Sequence, residues 1–262
     1  MELHAVVDRL DDELETEAYA DVDASANGLQ VGPGGDGTTP ERTVDHVAFA
    51  VDAATATIDA AADAGADLLV THHGVSWGGI EHVTGQTYDR IAALVEHDMA
   101  LYVSHLPLDG HATLGNAAGV ADAVGLSERE PFGTIGPVTI GTMGETHEPL
   151  PTDAIRERLD GFDGAEAGSG TRVLAFGPDR IERVAVVTGS GTDWLDEAVE
   201  AGADALITGE GKQQVYHDAR EAGVTVYLAG HYATETFGVR SLRSLANDWD
   251  VETTYVSHPT GL

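Results

Sequence analysis

The feature that most constrains the fold of this chain is an internal repeat. The segment DAAADAGADLLVTHHG, residues 59–74, aligns without gaps on DEAVEAGADALITGEG, residues 196–211, with nine of sixteen positions identical at a constant offset of 137. The same offset aligns the preceding apolar segments, VDHVAFAV and IERVAVVT, and further along LYVSH aligns with VYLAGH. Self-similarity of this kind indicates that one supersecondary unit has been used twice.

Each copy alternates short apolar segments with helical patterns, which is typical of parallel sheets covered by helices. We therefore predict the α/β class, with a first α/β unit over residues 1–126 and a second over 127–262. The AGAD tetrads are predicted helix ends, with Gly65 and Gly202 in left-handed caps. Residues 127–180 are predicted to be a short, hairpin-rich connecting segment, with an antiparallel hairpin around Gly177-Pro178-Asp179.

The charge of the chain is extreme. Forty-five acidic residues face thirteen basic ones, Lys212 is the sole lysine, and the formal net charge is −32. Because 42% of the residues are hydrophobic, the chain can still supply a core, so a folded protein adapted to high salt is favoured over disorder. Such a surface repels phosphate backbones, which argues against nucleic acid as a partner.

The chain contains no cysteine, so any metal must be held by His, Asp and Glu. No apolar stretch reaches the ~18 residues of a membrane span, and the acidic start MELHAVVDRLDDELE is unlike a signal peptide. We therefore expect a cytoplasmic protein with no membrane partner.

Candidate ligands cluster where the predicted strands end, which is where open α/β sheets carry functional residues. One repeated strand leads into His72 and His73, and its counterpart leads into Glu210. The next strand in each copy leads into a polar segment, and these segments contribute His105, Asp109 and His111 in the first copy and His231 and Glu235 in the second. His231 and Glu235 are four residues apart at the predicted start of one continuous helix, so they share a helix face.

We select His72, His73, Asp109, His231 and Glu235 as the ligands of two divalent metal ions, because imidazoles and carboxylates at convergent loops suit a bridged pair. This donor set suits zinc, iron or manganese and does not choose among them. Each residue alone has a simpler interpretation: a loop His pair, a turn at Asp109, a solvated or capping Glu235. Five other histidines have the simpler interpretation of surface or helix-end residues, namely His82, His97, His105, His111 and His217.

Five segments together resemble one known family, the GTP cyclohydrolase I type 2 family, also called the Nif-three-like dinuclear metal-centre hexameric proteins. They are ANGLQVG, THHGVSW, SHLPLDGHATLGNAAGVADAVGL, ADALITGEGKQQ and AGHYATE, and the resemblance covers nearly the full length. It implies two interlocked three-layer α/β/α domains, a toroidal homohexamer, and the same five metal ligands. The longer members' inserted domain has no counterpart in the short connecting segment here. Glu210, in the TGE motif, is expected near the metals without binding them.

The resemblance implies a metal-dependent hydrolase of the GTP cyclohydrolase type that uses a metal-activated water on a nucleotide-like substrate, with Glu210 as the candidate catalytic proton carrier. Two alternatives stay open: a metal-delivery ring protein resembling an iron chaperone, without turnover, and a protein-interaction ring with structural metals. No GxxxxGK[ST] loop is present, so Lys212 or an arginine would have to meet substrate phosphates.

Overall fold

The computed structural model describes residues 1–34 and 42–262, which form two compact units. The first unit comprises residues 1–108 and 238–258, and the second comprises 109–237 and 259–262. The α-helices of the described chain are α1 (Leu3–Leu14), α2 (Thr55–Asp63), α3 (Gly85–Glu96), α4 (Leu106–Gly110), α5 (Asn116–Val124), α6 (Thr152–Leu159), α7 (Leu195–Glu200), α8 (Gln214–Ala222), α9 (His231–Thr234) and α10 (Thr236–Ala246). The strands are β1 (Gly28–Val31), β2 (His46–Asp52), β3 (Leu68–His73), β4 (Ala100–Val103), β5 (Leu126–Ile135), β6 (Val138–Pro151), β7 (Arg172–Leu174), β8 (Arg180–Val186), β9 (Ala205–Thr208), β10 (Thr225–Leu228) and β11 (Glu252–Tyr255).

The sheet of the first unit has the strand order β1-β4-β3-β2-β11. Strands β11, β2, β3 and β4 run parallel, while β1 pairs antiparallel with β4 at one edge. The central strands are almost wholly buried, as expected for parallel strands covered on both faces. Ile58 of α2 and Leu94 of α3 pack with Leu69 and Leu101 in the core of this unit.

The sheet of the second unit has the order β5-β6-β8-β9-β10-β7. Its three central strands, β8, β9 and β10, are parallel, and the other pairings are antiparallel. Val120 of α5 and Ile155 of α6 pack with Val184 and Ile207 in the core of this unit. The predicted α/β class, with two sheets, is confirmed.

The repeat is visible in the hydrogen bonds of the two units. In the first, Asp67 Oδ2 accepts the backbone N–H groups of Asp45 and His46 at 2.8 and 3.0 Å. In the second, Asp204 Oδ2 accepts those of Glu182 and Arg183 at the same two distances. Each aspartate of the AGAD tetrads thus fixes the start of the neighbouring strand of its own sheet.

The predicted helix caps in the AGAD tetrads are confirmed. Gly65 and Gly202 follow α2 and α7 with φ of 79° and 76°, the left-handed conformation that glycine adopts at low cost. The chain can therefore turn from each helix directly into the next parallel strand.

The hairpin predicted around Gly177-Pro178-Asp179 is wrong. Strand β7, before this turn, pairs with β10, and β8, after it, pairs with β6 and β9. A turn sequence alone does not show which strand lies beside which, and here β7 occupies the edge next to β10. An antiparallel hairpin does lie earlier in the connecting segment, where β5 and β6 pair up to Ile135 opposite Val138.

The boundary between the two predicted α/β units, at residues 126 and 127, was placed from the sequence repeat and stays a prediction. In space, residues 238–258, which follow the second copy of the repeat, belong to the first compact unit and supply β11 to its sheet. Among the helices of the described residues, none is both long and apolar enough to cross a membrane.

Candidate metal centre

His72 and His73 are the last two residues of β3, in the first unit. The His72 side chain is fully buried, and its Nδ1 donates to the carbonyl of Ser104 at 3.0 Å. His73 Nδ1 donates to Asp52 Oδ1 at 2.9 Å, and the two imidazole rings are 4.6 Å apart. The end of one parallel strand therefore presents two rings whose Nδ1 atoms are already engaged.

His105 joins this pair, although we interpreted it from the sequence as a surface or helix-end residue. Its ring lies 5.1 Å from that of His72 and 5.7 Å from that of His73. One ligand atom from each of the three rings lies within 4.8 Å of the others, so these histidines could hold one metal ion. The available signal was its position directly after β4, the third strand of the repeat.

Asp23 fixes the His105 ring. Its Oδ1 accepts from His105 Nδ1 at 2.9 Å, and its Oδ2 accepts from the backbone N–H of Leu106 and from Asn27 Nδ2. Burial raises the pKa of Asp23, but the hydrogen bonds from His105, Asn27 and the Ser25 backbone outweigh it and leave this pKa below its ordinary value. Asp23 therefore stays a carboxylate at neutral pH.

The ANGLQVG motif holds the segments on which these histidines lie. Asn27 Oδ1 accepts from the backbone N–H of His105 at 2.7 Å, and Gln30 Oε1 accepts from that of Val75 at 2.9 Å. Gly74 leaves room for Gln30, since a Cβ at residue 74 would lie 2.4 Å from Gln30 Oε1. The motif thus positions ligands without supplying any.

Asp109 is buried in the second unit, where it accepts two hydrogen bonds on Oδ1. The donors are Asn116 Nδ2 and Thr188 Oγ1, each at 2.9 Å. Sequence analysis placed Asp109 in a loop, but it belongs to the short helix α4. Asn116 opens α5 and Thr188 follows β8, so the carboxylate orientation is set from two elements.

His231 and Glu235 face each other, with His231 Nε2 and Glu235 Oε1 3.2 Å apart. The carboxylate of Glu235 is only 3% exposed. The predicted continuous helix is wrong in detail: α9 ends at Thr234, and α10 begins at Thr236. At the break, Glu235 has ψ near 5° and its N–H bonds to Tyr232, one residue short of α-helical spacing.

Glu210 lies beside Nδ1 of the His231 ring, the nitrogen that does not face Glu235. Its Oε1 is 3.2 Å from His231 Nδ1, and it also accepts from Ser190 Oγ at 2.5 Å. The Ser190 hydrogen bond, reinforced by His231 against the effect of burial, holds the pKa of Glu210 below its ordinary value. Burial lowers the pKa of His231, but the hydrogen bonds and charges of Glu235 and Glu210 outweigh it and raise this pKa to about 9.

Gly189 leaves the space that Glu235 fills. A Cβ at this position would lie 2.4 Å from Glu235 Oε1 and 3.2 Å from His231 Nε2. Its φ of 58° is also one that other residues rarely adopt. The carbonyl of Gly189 accepts from the N–H groups of Gly209 and Glu210, which ties the TGE motif to this cluster.

His111 has a different role from the cluster histidines. Its Nδ1 accepts from the backbone N–H groups of Thr113 and Leu114 and so caps the turn before α5. His97 lies 3.8 Å from Asp59 on exposed surface, and the His217 ring contacts that of Tyr216. These three histidines agree with their interpretation as surface or helix-end residues.

Four histidines share one arrangement: the Nδ1 of each is engaged by a protein oxygen. The acceptors are Ser104 O for His72, Asp52 for His73, Asp23 for His105 and Glu210 for His231. Such hydrogen bonds fix the ring of a metal-binding histidine and direct Nε2 to the ion. The fold and these clusters define an α/β protein of two sheets whose His, Asp and Glu groups could bind a metal.

Comparison with known proteins identifies the family. The chain belongs to the Duf34/NIF3 (NGG1p interacting factor 3) family, whose model matches residues 1–260. It is 55% identical over 265 residues to the GTP cyclohydrolase 1 type 2 homolog of Halobacterium salinarum, with 100% of both chains covered. The resemblance inferred from the five sequence motifs is thereby confirmed.

Solved structures agree over the whole chain. The protein TTHA1606 from Thermus thermophilus is 34% identical with a TM-score of 0.87, and 100% of both chains is covered. The protein ybgI, of unknown function, is 32% identical with a TM-score of 0.88 and the same coverage.

Proposed function

We propose that this protein is a hydrolase of the GTP cyclohydrolase 1 type 2 kind that uses two divalent metal ions on a nucleotide-like substrate. The proposed ligands are His72, His73, Asp109, His231 and Glu235. The observation that carries the proposal is the set of oxygen acceptors on the histidine Nδ1 atoms, because outer hydrogen bonds of this kind are typical of metal-binding imidazoles.

The residues fit such ions. The donors are imidazole nitrogens and carboxylate oxygens, and with no cysteine in the chain the set suits zinc, iron or manganese. His231 Nε2 and Glu235 Oε1 lie side by side in the space that Gly189 leaves. In the metal-free protein His231 is protonated at neutral pH, and loss of its Nε2 proton would make that nitrogen a ligand.

Bound divalent ions would supply Lewis acidity and lower the pKa of a coordinated water. Glu210 is our candidate for accepting a proton, because it is a carboxylate beside His231 that is not among the proposed ligands. Ser190 and His231 hold this carboxylate in place from two sides. The same contact gives Glu210 a second role, since it orients the His231 ring through Nδ1.

Two variants separate the roles of Glu210. Glu210→Gln keeps an oxygen that can accept from His231 Nδ1 but cannot take up a proton, whereas Glu210→Ala removes both functions. If proton transfer dominates, we expect turnover to fall by about 10²-fold or more in both variants. If orientation dominates, only the alanine variant should lose metal affinity, by about 10- to 100-fold.

The relative from Halobacterium salinarum is called a GTP cyclohydrolase 1 type 2 homolog, and this name supports the choice of substrate class. The test is a screen of the metal-loaded protein against nucleotides and phosphoesters in molar salt. We expect metal-dependent release of a hydrolysis product from a nucleotide. If the protein binds exchangeable metal and turns over no substrate, the hydrolase proposal is refuted and the metal-delivery alternative is supported.

We further propose that the protein is a cytoplasmic, salt-adapted homohexamer, as the resemblance and the net charge of −32 suggest. In molar potassium chloride, light scattering should give about six times the 27.3 kDa chain mass. Repulsion between acidic surfaces should loosen the assembly in low salt, where screening is weak. A monomer in molar salt would contradict the proposal.

A further inference from the structure

Two neighbouring cavities of the second unit share part of their walls. The larger has a volume of about 460 Å³, and the other of about 370 Å³. Both are lined by Arg172, Gly211 and Leu228, so the two cavities adjoin at these residues. Cavities of a few hundred Å³ are the size that small-molecule ligands occupy.

The larger cavity is lined by two of the thirteen basic residues of this acidic chain, Arg172 and Lys212. Arg172 lies on β7, in register with Leu228 of β10, and Lys212 precedes α8. Within residues 1–34 and 42–262, neither side chain has a carboxylate at ion-pair distance, unlike Arg183, which pairs with Glu130 at 2.7 Å. Two cations at one cavity would attract an anionic group.

Lys212 is also near carboxylates, because it lines a third cavity together with Asp193, Asp196 and Asp218. These side chains hold no ion pair with Lys212 in the described residues, so the lysine is available to either side. Arg172 does not line that third cavity, and it is therefore the stronger anchor for an anion.

The smaller cavity connects this region to the metal-ligand cluster of the same unit. Glu210 lines it, and Glu210 Oε1 is 3.2 Å from His231 Nδ1. Residues 209–212 carry both features, since Lys212 follows Glu210 by two positions. An anion held at Arg172 would thus lie at the wall of a cavity that Glu210 also lines.

An aromatic and apolar wall completes the larger cavity. Tyr216 is 38% exposed, and its ring is held by an edge contact with Phe176 at 5.2 Å. Leu174, Val215 and Leu228 also line the cavity. A fixed phenol ring beside aliphatic side chains suits the flat, partly apolar ring of a nucleobase.

We propose that Arg172 and Lys212 form an anion subsite that receives phosphate groups of the substrate, with Tyr216 packing against its ring. The inference rests on the proposed function in one respect, namely that the bound anion belongs to a substrate. Anion binding at the subsite can itself be measured without turnover. It explains how a chain with one lysine and no phosphate-binding loop would hold a nucleotide.

The test compares Arg172→Gln and Lys212→Gln with a matched control, Arg220→Gln. Arg220 is exposed in the last turn of α8 and lines neither cavity, so it removes the same charge elsewhere. Affinities for inorganic tripolyphosphate and GTP are measured by calorimetry on the metal-loaded assembly, at the lowest salt that keeps it intact. Metal content is determined before and after each titration.

We expect the Arg172 and Lys212 variants to bind both probes about 10-fold or more weakly, as for loss of a charge-assisted hydrogen bond, with Arg220→Gln close to wild type. Tyr216→Leu should weaken GTP binding and leave tripolyphosphate binding unchanged. Equal affinity of all three charge variants, or no tripolyphosphate binding by the wild type, would overturn the subsite.

Failure of the subsite and failure of the hydrolase give different results. If the wild type hydrolyses a nucleotide and Arg172→Gln leaves its KM unchanged, the subsite is wrong and the hydrolase stands. If nothing is hydrolysed but Arg172→Gln still weakens tripolyphosphate binding relative to Arg220→Gln, the subsite stands and the hydrolase is wrong.

Discussion

Gly189→Ala tests whether the space beside Glu235 serves metal binding. The substitution places a Cβ 2.4 Å from Glu235 Oε1, too close for the carboxylate to keep its position. Because that oxygen ends a flexible side chain, the carboxylate can move away without unfolding the unit. The stability cost should then come from the backbone, where φ of 58° costs a residue with a Cβ about 1 to 2 kcal/mol.

The matched control is Gly202→Ala, in the same unit. Gly202 has φ of 76°, so it carries a similar backbone cost, but a Cβ there has nothing within 4 Å. Both variants should lose about 1 to 2 kcal/mol of unfolding free energy in the metal-free protein. Only Gly189→Ala should lose metal affinity, by about 10- to 100-fold, as when the support of a ligand is disturbed.

Unfolding is followed by chemical denaturation of the metal-free proteins, and metal affinity by competition with a chromophoric chelator. The difference between the two variants isolates the displaced carboxylate from the backbone strain they share. Equal metal affinity in Gly189→Ala and Gly202→Ala, with two ions bound in each, would refute the argument that Glu235 is a ligand at the position it occupies here.

Further predictions concern charge and pH. Glu235→Gln should fold and assemble but bind about one metal ion per chain or none, measured by elemental analysis, because an amide cannot bridge two cations; two tightly bound ions would contradict this. Metal affinity should rise with pH through about 9, the pH at which half of the His231 rings have lost a proton; a pH-independent affinity would contradict competition at this ring. Since the folded-state pKa of His231 exceeds its ordinary 6.5, the metal-free protein should gain stability from this group below pH 6.5 and lose it as pH rises through 9, measured by denaturation; no loss, or the same loss in His231→Ala, would exclude this group as the cause. Asp67→Ala and Asp204→Ala should each cost about 1 to 3 kcal/mol of unfolding free energy, since two backbone N–H groups lose their acceptor. If either variant is as stable as the wild type, the aspartate of that tetrad does not stabilise its sheet.

Sequence analysis predicted most of the fold because the repeat carries its own geometry. The AGAD tetrad encodes a left-handed cap at the glycine and a backbone acceptor at the aspartate, and both act within a few residues. The central strands β2, β3, β4, β8, β9 and β10 follow from short apolar segments. The strands that pair at the sheet edges cannot be predicted in this way, since edge pairings such as β7 with β10 join segments about fifty residues apart.

The candidate site was predicted less completely, for two physical reasons. His105 was missed because a histidine after a strand looks the same whether it faces solvent or another ring, and the carboxylate that orients its ring, Asp23, lies 82 residues away in the sequence. The break at Glu235 was missed because the spacing of His231 and Glu235 fits a continuous helix equally well. The predicted proximity of the two side chains nevertheless holds, since His231 Nε2 and Glu235 Oε1 are 3.2 Å apart.

The segment that returns to the first sheet also escaped prediction. Strand β11 follows the second copy of the repeat but pairs with β2, with Glu252 in register with His46. Local sequence patterns do not show which strand of which sheet such a segment will join. The sequence halves and the compact units therefore describe different properties of the chain.

The most direct test of the proposed metal site is anomalous X-ray diffraction from crystals of the protein loaded with zinc, recorded at the metal edge. The account predicts two peaks per chain, about 2.0 to 2.2 Å from nitrogen or oxygen atoms, with the protein ligands drawn from His72, His73, Asp109, His231 and Glu235. The absence of peaks, or peaks held by other side chains, would contradict it.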